Sequence, residues 1–266
     1  MEHELIVFDL DDTLLNKEHK ISERTISVIK SLKAKGKKVT IATGRMFVSA
    51  LPYAEELEID LPVISYNGAY VCDPKSHKVI FHHAIQADLV QAIIKEAEKE
   101  DLHLNLYYGD DFYIKERNEG VKIYEEIAGV KGKTIGKLSE NYRGEATKIL
   151  VIEKDQEKKH HYLDYFKENY GHKLEITESK EYFIEFTAKN VSKKEALENL
   201  AKSLDIPQKK VIAVGNGFND LTMIEWADLG IAVDNAPQAV KEKANIIAGH
   251  HDDNGVADIL EEIFDI

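Results

Sequence analysis

Residues 5–13 read Leu5-Ile6-Val7-Phe8-Asp9-Leu10-Asp11-Asp12-Thr13, four apolar side chains followed at once by carboxylates. A short, continuously apolar run is typical of a strand that is covered on both faces, as in a parallel sheet. Ligands of open α/β sheets bind just beyond the carboxyl ends of the strands. The stretch therefore predicts a buried strand over 5–8 that delivers Asp9 and Asp11 to a binding site.

The sequence after this strand alternates between helical and strand patterns. Ser22 is a predicted helix N-cap, and strands are predicted over 39–42 and 63–66. The same alternation returns towards the carboxyl end, with strands predicted over 211–214 and 230–233. Such spacing predicts βαβ units, so the expected fold class is α/β with a Rossmann-like, doubly wound parallel sheet.

The middle of the chain has a different character. From about residue 84 to 187 it reads as a mixture of helices and strands, and it holds nine of the twelve tyrosines, a residue type that favours strands. We predict that residues 84–187 form an inserted α+β cap domain. Residues 1–83 and 188–266 are then expected to form one discontinuous core.

The composition limits the partners of the protein. The chain has 266 residues and a formal net charge of -13, from 35 Lys and Arg against 48 Asp and Glu. Nucleic acids and anionic membranes require a basic footprint, so neither is expected as a partner, whereas a small anionic substrate needs only local positive charge. The sequence shows no signal-peptide pattern and no apolar run approaching about 18 residues. We therefore expect a cytoplasmic protein, either a monomer or a small homo-oligomer.

The first candidate reaction centre is the pair of Asp9 and Asp11. Side chains two residues apart on extended backbone point to the same side. One carboxylate can then act as a nucleophile or metal ligand and the other as a general acid and base. An acidic turn that ends a strand has the same pattern, so the pair predicts chemistry only together with polar clusters elsewhere in the chain.

Two further clusters carry groups that suit phosphate. Thr43, Gly44 and Arg45 follow the second predicted strand and offer a hydroxyl, an approachable backbone N–H and a guanidinium. Lys193, at a predicted helix start, can neutralise a transferring phosphoryl group as a point charge. The neighbouring Lys194 is an equally good candidate on sequence alone.

The loop Gly215-Asn216-Gly217-Phe218-Asn219-Asp220 follows the strand predicted over 211–214. Two glycines and three short oxygen-bearing side chains suit a tight loop around a hard cation such as Mg²⁺. A plain turn would also fit this loop when it is considered alone. The four polar clusters each lie at a strand exit or a helix start of one predicted sheet, so we expect them to converge on one crevice.

In this order the clusters resemble the haloacid dehalogenase-like phosphohydrolase superfamily, and more narrowly its Cof-type phosphatase branch with a C2-type cap. The matching segments are Asp-x-Asp-x-Thr at 9–13, Thr-Gly-Arg at 43–45, Asn-Gly at 67–68, Val-Ser-Lys at 191–193, the loop at 215–220 and Asn-Gly-Val-Ala at 254–257. They span essentially the whole chain. The resemblance implies an enzyme that hydrolyses a small phosphorylated metabolite, such as a sugar phosphate or a cofactor phosphate.

The resemblance also implies a role for each site residue. Asp9 would attack phosphorus to form an aspartyl-phosphate, and Asp11 would protonate the leaving oxygen and later deprotonate the attacking water. The other implied contacts are Mg²⁺ bound by Asp9, by the backbone carbonyl of Asp11, by Asn216 and by Asp220; the phosphoryl group held by Thr43, Gly44 and Lys193; and substrate or phosphate contacted by Arg45, Asn67 and Asn219.

One position departs from the family pattern. The family loop usually reads Gly-Asp-x-x-Asn-Asp, and its first Asp, a metal ligand, corresponds to Asn216. An amide oxygen can coordinate Mg²⁺, but the site loses one negative charge, which should weaken metal binding. The retained catalytic residues favour a working phosphatase with a weaker metal site. A sensor that binds phosphorylated ligands and a phosphotransferase or mutase remain as alternatives.

Three pairs of adjacent histidines occur, at 82–83, 160–161 and 250–251. None has a histidine partner four residues away or a neighbouring cysteine, which are spacings typical of zinc ligands. We predict surface or hinge positions for these pairs.

Overall fold

The computed structural model of the chain describes residues 3–178 and 182–266. The chain divides into two compact units, residues 1–81 with 192–266 and residues 82–191. We call the first the core unit and the second the inserted unit. The domain limits predicted from the sequence, after residues 83 and 187, lie two and four residues from these divisions.

The strands and helices alternate along most of the chain. The strands are, in chain order, β1 Leu5–Phe8, β2 Lys38–Ile41, β3 Val63–Ser65, β4 Tyr70–Cys72, β5 Val79–His82, β6 His103–Tyr108, β7 Asp111–Ile114, β8 Lys133–Thr134, β9 Lys148–Ile152, β10 Leu174–Glu178, β11 Phe183–Ala188, β12 Val211–Gly215, β13 Leu229–Val233 and β14 Ile246–Ala248. The helices are α1 Glu23–Ala34, α2 Phe47–Glu56, α3 Ala87–Lys99, α4 Glu119–Ala128, α5 Leu138–Asn141, α6 Gln156–Tyr170, α7 Lys193–Ser203, α8 Leu221–Trp226, α9 Gln238–Lys241 and α10 Gly255–Phe264. Within the described ranges, no helix combines the length and the apolar character that crossing a membrane requires.

Helix α1 begins at the predicted cap. The Ser22 hydroxyl accepts a hydrogen bond from the backbone N–H of Thr25 at 3.1 Å, which satisfies one of the free donors of the first turn. Val28, Ile29 and Leu32 form the buried face of the helix. The sequence prediction of this helix is therefore confirmed, and its buried face covers part of the core sheet.

The core unit contains a five-stranded parallel sheet in the order β14-β13-β12-β1-β2. All four residues of β1 are fully buried, as its unbroken apolar sequence predicts. The chain leaves β1 towards β2 on one side and later returns as β12 on the other, so the strand order reverses between β1 and β12. Such a reversal opens a crevice at the carboxyl ends of the two strands, which is where ligands of this fold class bind.

Strand β3 differs from the prediction in its pairing. It was expected in the parallel sheet, but it belongs to a three-stranded sheet in the order β3-β4-β5 and pairs antiparallel with β4. Its link to the parallel sheet is a single parallel bridge between Ala42 and Ile64. The reason is the turn directly after β3, where Asn67 and Gly68 take φ values of 55° and 106° and return the chain into β4.

The inserted unit is built on a six-stranded sheet in the order β10-β11-β9-β6-β7-β8. Its strand pairs are antiparallel except for β7 with β8. Val90 of α3 and Phe166 of α6 belong to the same buried cluster as Leu106, Ile149 and Phe186 of the sheet. Helices therefore cover a face of an antiparallel sheet, which is the α+β architecture predicted for this part of the chain.

Candidate active site

The loops after β1 and β12 meet the first turn of α7 in the core unit. Lys193 is fully buried there, and its Nζ donates to Asp9 Oδ1 at 2.6 Å and to Asp220 Oδ1 at 2.6 Å. Lys194 instead pairs with Glu198 on the outer side of the helix. The structure thus distinguishes the two lysines that the sequence left equivalent, and it brings Lys193 together with both carboxylates.

A glycine lets α7 approach the site this closely. Gly68 has a φ of 106°, and a Cβ atom built on it would lie 2.3 Å from the backbone carbonyl oxygen of Ser192. Any side chain at this position would therefore push the turn and the helix start apart. Ser192 is also the N-cap of α7 and accepts a hydrogen bond from the backbone N–H of Glu195. These two contacts fix the point from which Lys193 enters the interior.

The buried charges shift one another's pKa values. The pKa of Asp9 is raised to about 7, mainly by burial and also by the Asp220 carboxylate, although Lys193 opposes both effects. Burial lowers the pKa of Lys193, but the two carboxylates outweigh this effect and raise its pKa overall. Two carboxylates against one ammonium leave this group with one excess negative charge, which favours the binding of a cation.

Thr13 connects the loops after β1 and β12. Its Oγ1 lies 3.1 Å from Asp9 Oδ2 and 3.2 Å from Asn216 Oδ1. One hydroxyl proton can serve only one of these two acceptors at a time. A carboxylate oxygen and an amide oxygen therefore lie close together with only one hydroxyl proton between them, as expected where a cation binds. The sequence analysis did not single out Thr13, although it completes the Asp-x-Asp-x-Thr motif.

Asp220 organises the loop that contains it. Its Oδ2 accepts hydrogen bonds from the backbone N–H groups of Asn216 and Gly217 at 2.9 and 2.8 Å, while Oδ1 accepts from Lys193. A Cβ atom on Gly215 would lie 2.6 Å from the Asp220 side chain, so glycine is required there. Both oxygens of Asp220 are thus engaged within the protein, in contrast to the less constrained Asn216 Oδ1.

Asp11 lies in a two-point ion pair with Arg45. The guanidinium donates from Nε to Asp11 Oδ2 at 2.9 Å and from Nη2 to Oδ1 at 2.7 Å. Burial opposes the charge of Arg45, but the hydrogen bonds to Asp11 outweigh it and raise the pKa of Arg45 above its ordinary value. The Tyr53 ring lies 5.2 Å from the guanidinium carbon. The two-point geometry is that of a carboxylate paired with a guanidinium.

The remaining predicted phosphate and substrate residues form one connected turn. Thr43 is fully buried, its carbonyl oxygen accepts from the backbone N–H of Asn67 at 2.9 Å, and its Oγ1 accepts from the backbone N–H of Arg45 at 3.1 Å. Gly44 lies against Asn67, because a Cβ atom there would be 3.2 Å from Asn67 Oδ1. Asn219 Nδ2 donates to the same Asn67 oxygen at 3.0 Å. The turn after β2 and the loop after β12 therefore meet at Asn67.

One further polar contact was not foreseen from the sequence. Asn235 Nδ2 donates to the backbone carbonyl oxygen of Asp12 at 2.8 Å, and Asp12 has a φ of 55°. This contact supports the left-handed backbone conformation between Asp11 and Thr13. The signal in the sequence is weak, since it consists of one asparagine shortly after a strand.

Comparisons with known proteins place this arrangement in a family. The model of the haloacid dehalogenase-like hydrolase family matches residues 6–260. The chain is 30% identical over 267 residues to the 5-amino-6-(5-phospho-D-ribitylamino)uracil phosphatase YitU of Bacillus subtilis strain 168, with 98% of each chain covered.

Two solved structures show the same architecture. The crystal structure of TM0651 from Thermotoga maritima matches with a TM-score of 0.89 and 32% identity, covering 98% of this chain and 97% of that one. The sugar phosphatase BT4131, of subclass IIB, matches with a TM-score of 0.83 and 25% identity, covering 99% and 100%. The predicted fold class, family resemblance and phosphatase activity are confirmed, and the chain belongs to the haloacid dehalogenase-like hydrolase family.

Proposed function

We propose that this phosphatase hydrolyses monoesters of small phosphorylated metabolites, sugar phosphates or cofactor phosphates, through an aspartyl-phosphate on Asp9 and with Mg²⁺. The observation that carries the proposal is the buried Lys193 ammonium, which lies 2.6 Å from both Asp9 and Asp220. Burial favours the protonated form of Asp9, and the fixed Lys193 cation counteracts it, which suits a nucleophile that must be ionised when it attacks an anionic substrate. Two similar proteins are named as phosphatases of a sugar and of a phosphoribitylamino compound.

The first step is attack by the Asp9 carboxylate. A bond forms between an Asp9 oxygen and phosphorus while the bond from phosphorus to the ester oxygen breaks, and Asp11 gives its proton to the leaving oxygen. In the second step water attacks the phosphorus of the aspartyl-phosphate, Asp11 takes the proton of that water, and the Asp9 carboxylate and inorganic phosphate are released. The ion pair with Arg45 holds Asp11 in the ionised state that the second step requires. Asp11 must leave this pair and be protonated before it can act in the first step.

The oxygen atoms near Thr13 fit Mg²⁺, a hard cation that prefers oxygen ligands. Asp9 Oδ2 and Asn216 Oδ1 converge on one hydroxyl, and the group as a whole has an excess negative charge. We assign these two oxygens and the backbone carbonyl of Asp11 to the metal. Asp220, also predicted as a ligand, holds Lys193 and the loop through its two oxygens, and a remaining lone pair on either oxygen can still bind the metal. The bound Mg²⁺ would neutralise charge on the phosphoryl oxygens.

The phosphoryl group is assigned to Lys193 and to the turn of Thr43 and Gly44. This turn is held in place by the backbone hydrogen bond from Asn67 to Thr43. Arg45, Asn67 and Asn219 are the proposed contacts to the rest of the substrate or to its phosphate. Because Asn67 receives the Asn219 amide, a ligand that binds one of them should also affect the other.

The test is phosphate release from sugar phosphates, nucleotides, flavin and pyridoxal phosphates and a chromogenic ester, with Mg²⁺ and with a chelator. Asp9→Asn should abolish release. Asp12→Asn is the matched control, because its side chain is exposed and asparagine tolerates its φ of 55°. Mg²⁺-dependent release that Asp9→Asn loses and Asp12→Asn keeps supports the proposal, whereas release by both variants would refute an aspartyl-phosphate on Asp9.

The neutral Asn216 favours one alternative, a protein that binds phosphorylated ligands and turns them over poorly. A silent wild type that gains activity in the Asn216→Asp variant would support this sensor function. Appearance of the phosphoryl group on an added acceptor instead of as free phosphate would identify a phosphotransferase.

A further inference from the structure

A cluster of imidazole and carboxylate groups lies in the core unit, in the loop between β14 and α10. One possible ligand atom from each of His250, His251 and Asp252 lies within 4.8 Å of the other two. Asp252 Oδ2 is 3.8 Å from His250 Nδ1 and 3.8 Å from His251 Nε2. The sequence predicted surface or hinge positions for this pair, but the His251 side chain is only 5% exposed.

The neighbours of each ring determine which nitrogen carries a proton. His251 Nδ1 lies 2.7 Å from the backbone carbonyl oxygen of Leu15, and a carbonyl only accepts, so Nδ1 carries the proton. Nε2 of the neutral ring, which faces Asp252, then has a free lone pair. His250 Nδ1 accepts a long hydrogen bond of 3.3 Å from the backbone N–H of Asp252, so its one lone pair is engaged by that N–H. Nε2 of His251 is therefore free to bind a metal, whereas Nδ1 of His250 would have to exchange this long hydrogen bond for the metal.

A cation already lies beside this cluster. Lys17 Nζ is 2.7 Å from Asp252 Oδ2, and the Lys17 side chain is 75% exposed. Its backbone N–H separately donates to Asp252 Oδ1 at 3.0 Å. An exposed lysine can swing into solvent at little cost, because exposed ion pairs contribute little. The position of the ammonium therefore marks a place where Asp252 attracts positive charge.

We propose that His250, His251 and Asp252 bind a divalent transition metal ion of the zinc type, which displaces the Lys17 ammonium. Two imidazoles and one carboxylate suit Zn²⁺, Ni²⁺ or Cu²⁺, whereas Mg²⁺ prefers oxygen ligands. Ligand atoms in a tetrahedral zinc site are about 3.4 Å apart. The two separations from Asp252 Oδ2, each 3.8 Å, need to close by a few tenths of an ångström, and the separation between the ligand atoms of the two rings, which lies within 4.8 Å, can require a larger movement. Water would complete the coordination.

The site is distinct from the proposed Mg²⁺ site and does not rest on the proposed function. Its loop holds the chain at Leu15 and Lys17, just after the motif that ends at Thr13. A bound metal would therefore fasten the loop after β14 to the segment that follows the nucleophile. Its expected role is to stabilise this part of the core unit.

The experiment measures Zn²⁺ binding to the full chain by calorimetry in excess Mg²⁺, and the absorption of the Co²⁺ form. His250→Ala removes one ligand but leaves the hydrogen bond between His251 and Leu15, so it should fold and bind Zn²⁺ at least about tenfold more weakly. Lys17→Met should bind Zn²⁺ more tightly, because the competing ammonium is gone while the backbone hydrogen bond to Asp252 remains. The matched control is the exposed pair in the variant His160→Ala/His161→Ala.

The expected pattern is one zinc ion lost or weakened in His250→Ala, tightened in Lys17→Met and unchanged in the control. The proposal is overturned if the wild type binds no Zn²⁺ in excess Mg²⁺. It is also overturned if binding is equal in His250→Ala and the wild type, since the zinc then lies elsewhere, or if binding disappears in the control variant.

Discussion

Replacing Lys193 by methionine tests the charge arrangement at the centre of the site. The side chains of Lys193, Asp9 and Asp220 are 0%, 6% and 0% exposed, so methionine would leave two buried carboxylates without their cation. Removing one partner of a buried ion pair costs about 3–5 kcal/mol of unfolding free energy. We expect a loss in this range, together with loss of phosphatase activity.

The neighbouring lysine provides the control. Lys194→Met changes the same residue type in the same helical turn, but Lys194 pairs with Glu198 near the surface, so little change in stability is expected. The assay is urea unfolding followed by the fluorescence of Trp226, the single tryptophan, which belongs to the core unit. Equal urea midpoints for the two variants would refute the view that Lys193 compensates two buried carboxylates.

Three more predictions concern a turn, a histidine and the proposed metal ligand. Gly68→Ala should lower the free energy of unfolding by clearly more than Gly36→Ala, because both glycines have positive φ but only a Cβ atom at Gly68 would clash with backbone. Gly36→Ala should lower it by about 1–2 kcal/mol. Equal urea midpoints for the two variants would contradict the clash. Burial lowers the pKa of His103, so below a pH of about 6.5 the unfolded chain binds more protons than the folded one, and the free energy of unfolding should decrease as the pH is lowered. A His103→Gln variant with an unchanged pH slope would exclude this cause. Asn216→Asp should bind Mg²⁺ more tightly, as measured by calorimetry. Asn219→Asp makes the same charge change in the same loop and should leave the Mg²⁺ affinity unchanged. An equal rise in Mg²⁺ affinity in both variants would indicate a general charge effect.

Local patterns were sufficient to predict much of the fold. The four apolar residues of β1 and the cap at Ser22 depend on neighbours in sequence, and the structure has both where expected. The pairing of β3 was not predicted, because it depends on the turn that follows the strand, where the positive φ values at Asn67 and Gly68 direct the chain into β4. The spacing of apolar residues, from which the strands were predicted, carries no information about this turn.

In the candidate site, too, contacts between residues far apart in the sequence could not be predicted. The motifs placed Asp9 and Asp220 at strand ends, but nothing local distinguished Lys193 from Lys194. The difference arises because Gly68 allows the carbonyl of Ser192 to approach, and these residues are far apart in the sequence. Thr13 and Asn235 were overlooked for a related reason, since Asn216 and Asp12, to which they bond, lie in loops more than 200 residues away in the sequence.

The position of β1 between β2 and β12 has a consequence for biosynthesis. Strand β2 follows soon after β1, but the other neighbour begins only at Val211. At a ribosomal rate of about 5–20 residues per second, the roughly 170 residues that separate Ile41 from Val211 take on the order of 10–30 s to make. Throughout that interval one edge of an entirely apolar strand has no partner in the sheet. This edge is therefore open to aggregation until β12 itself has been synthesised, after the inserted unit is complete.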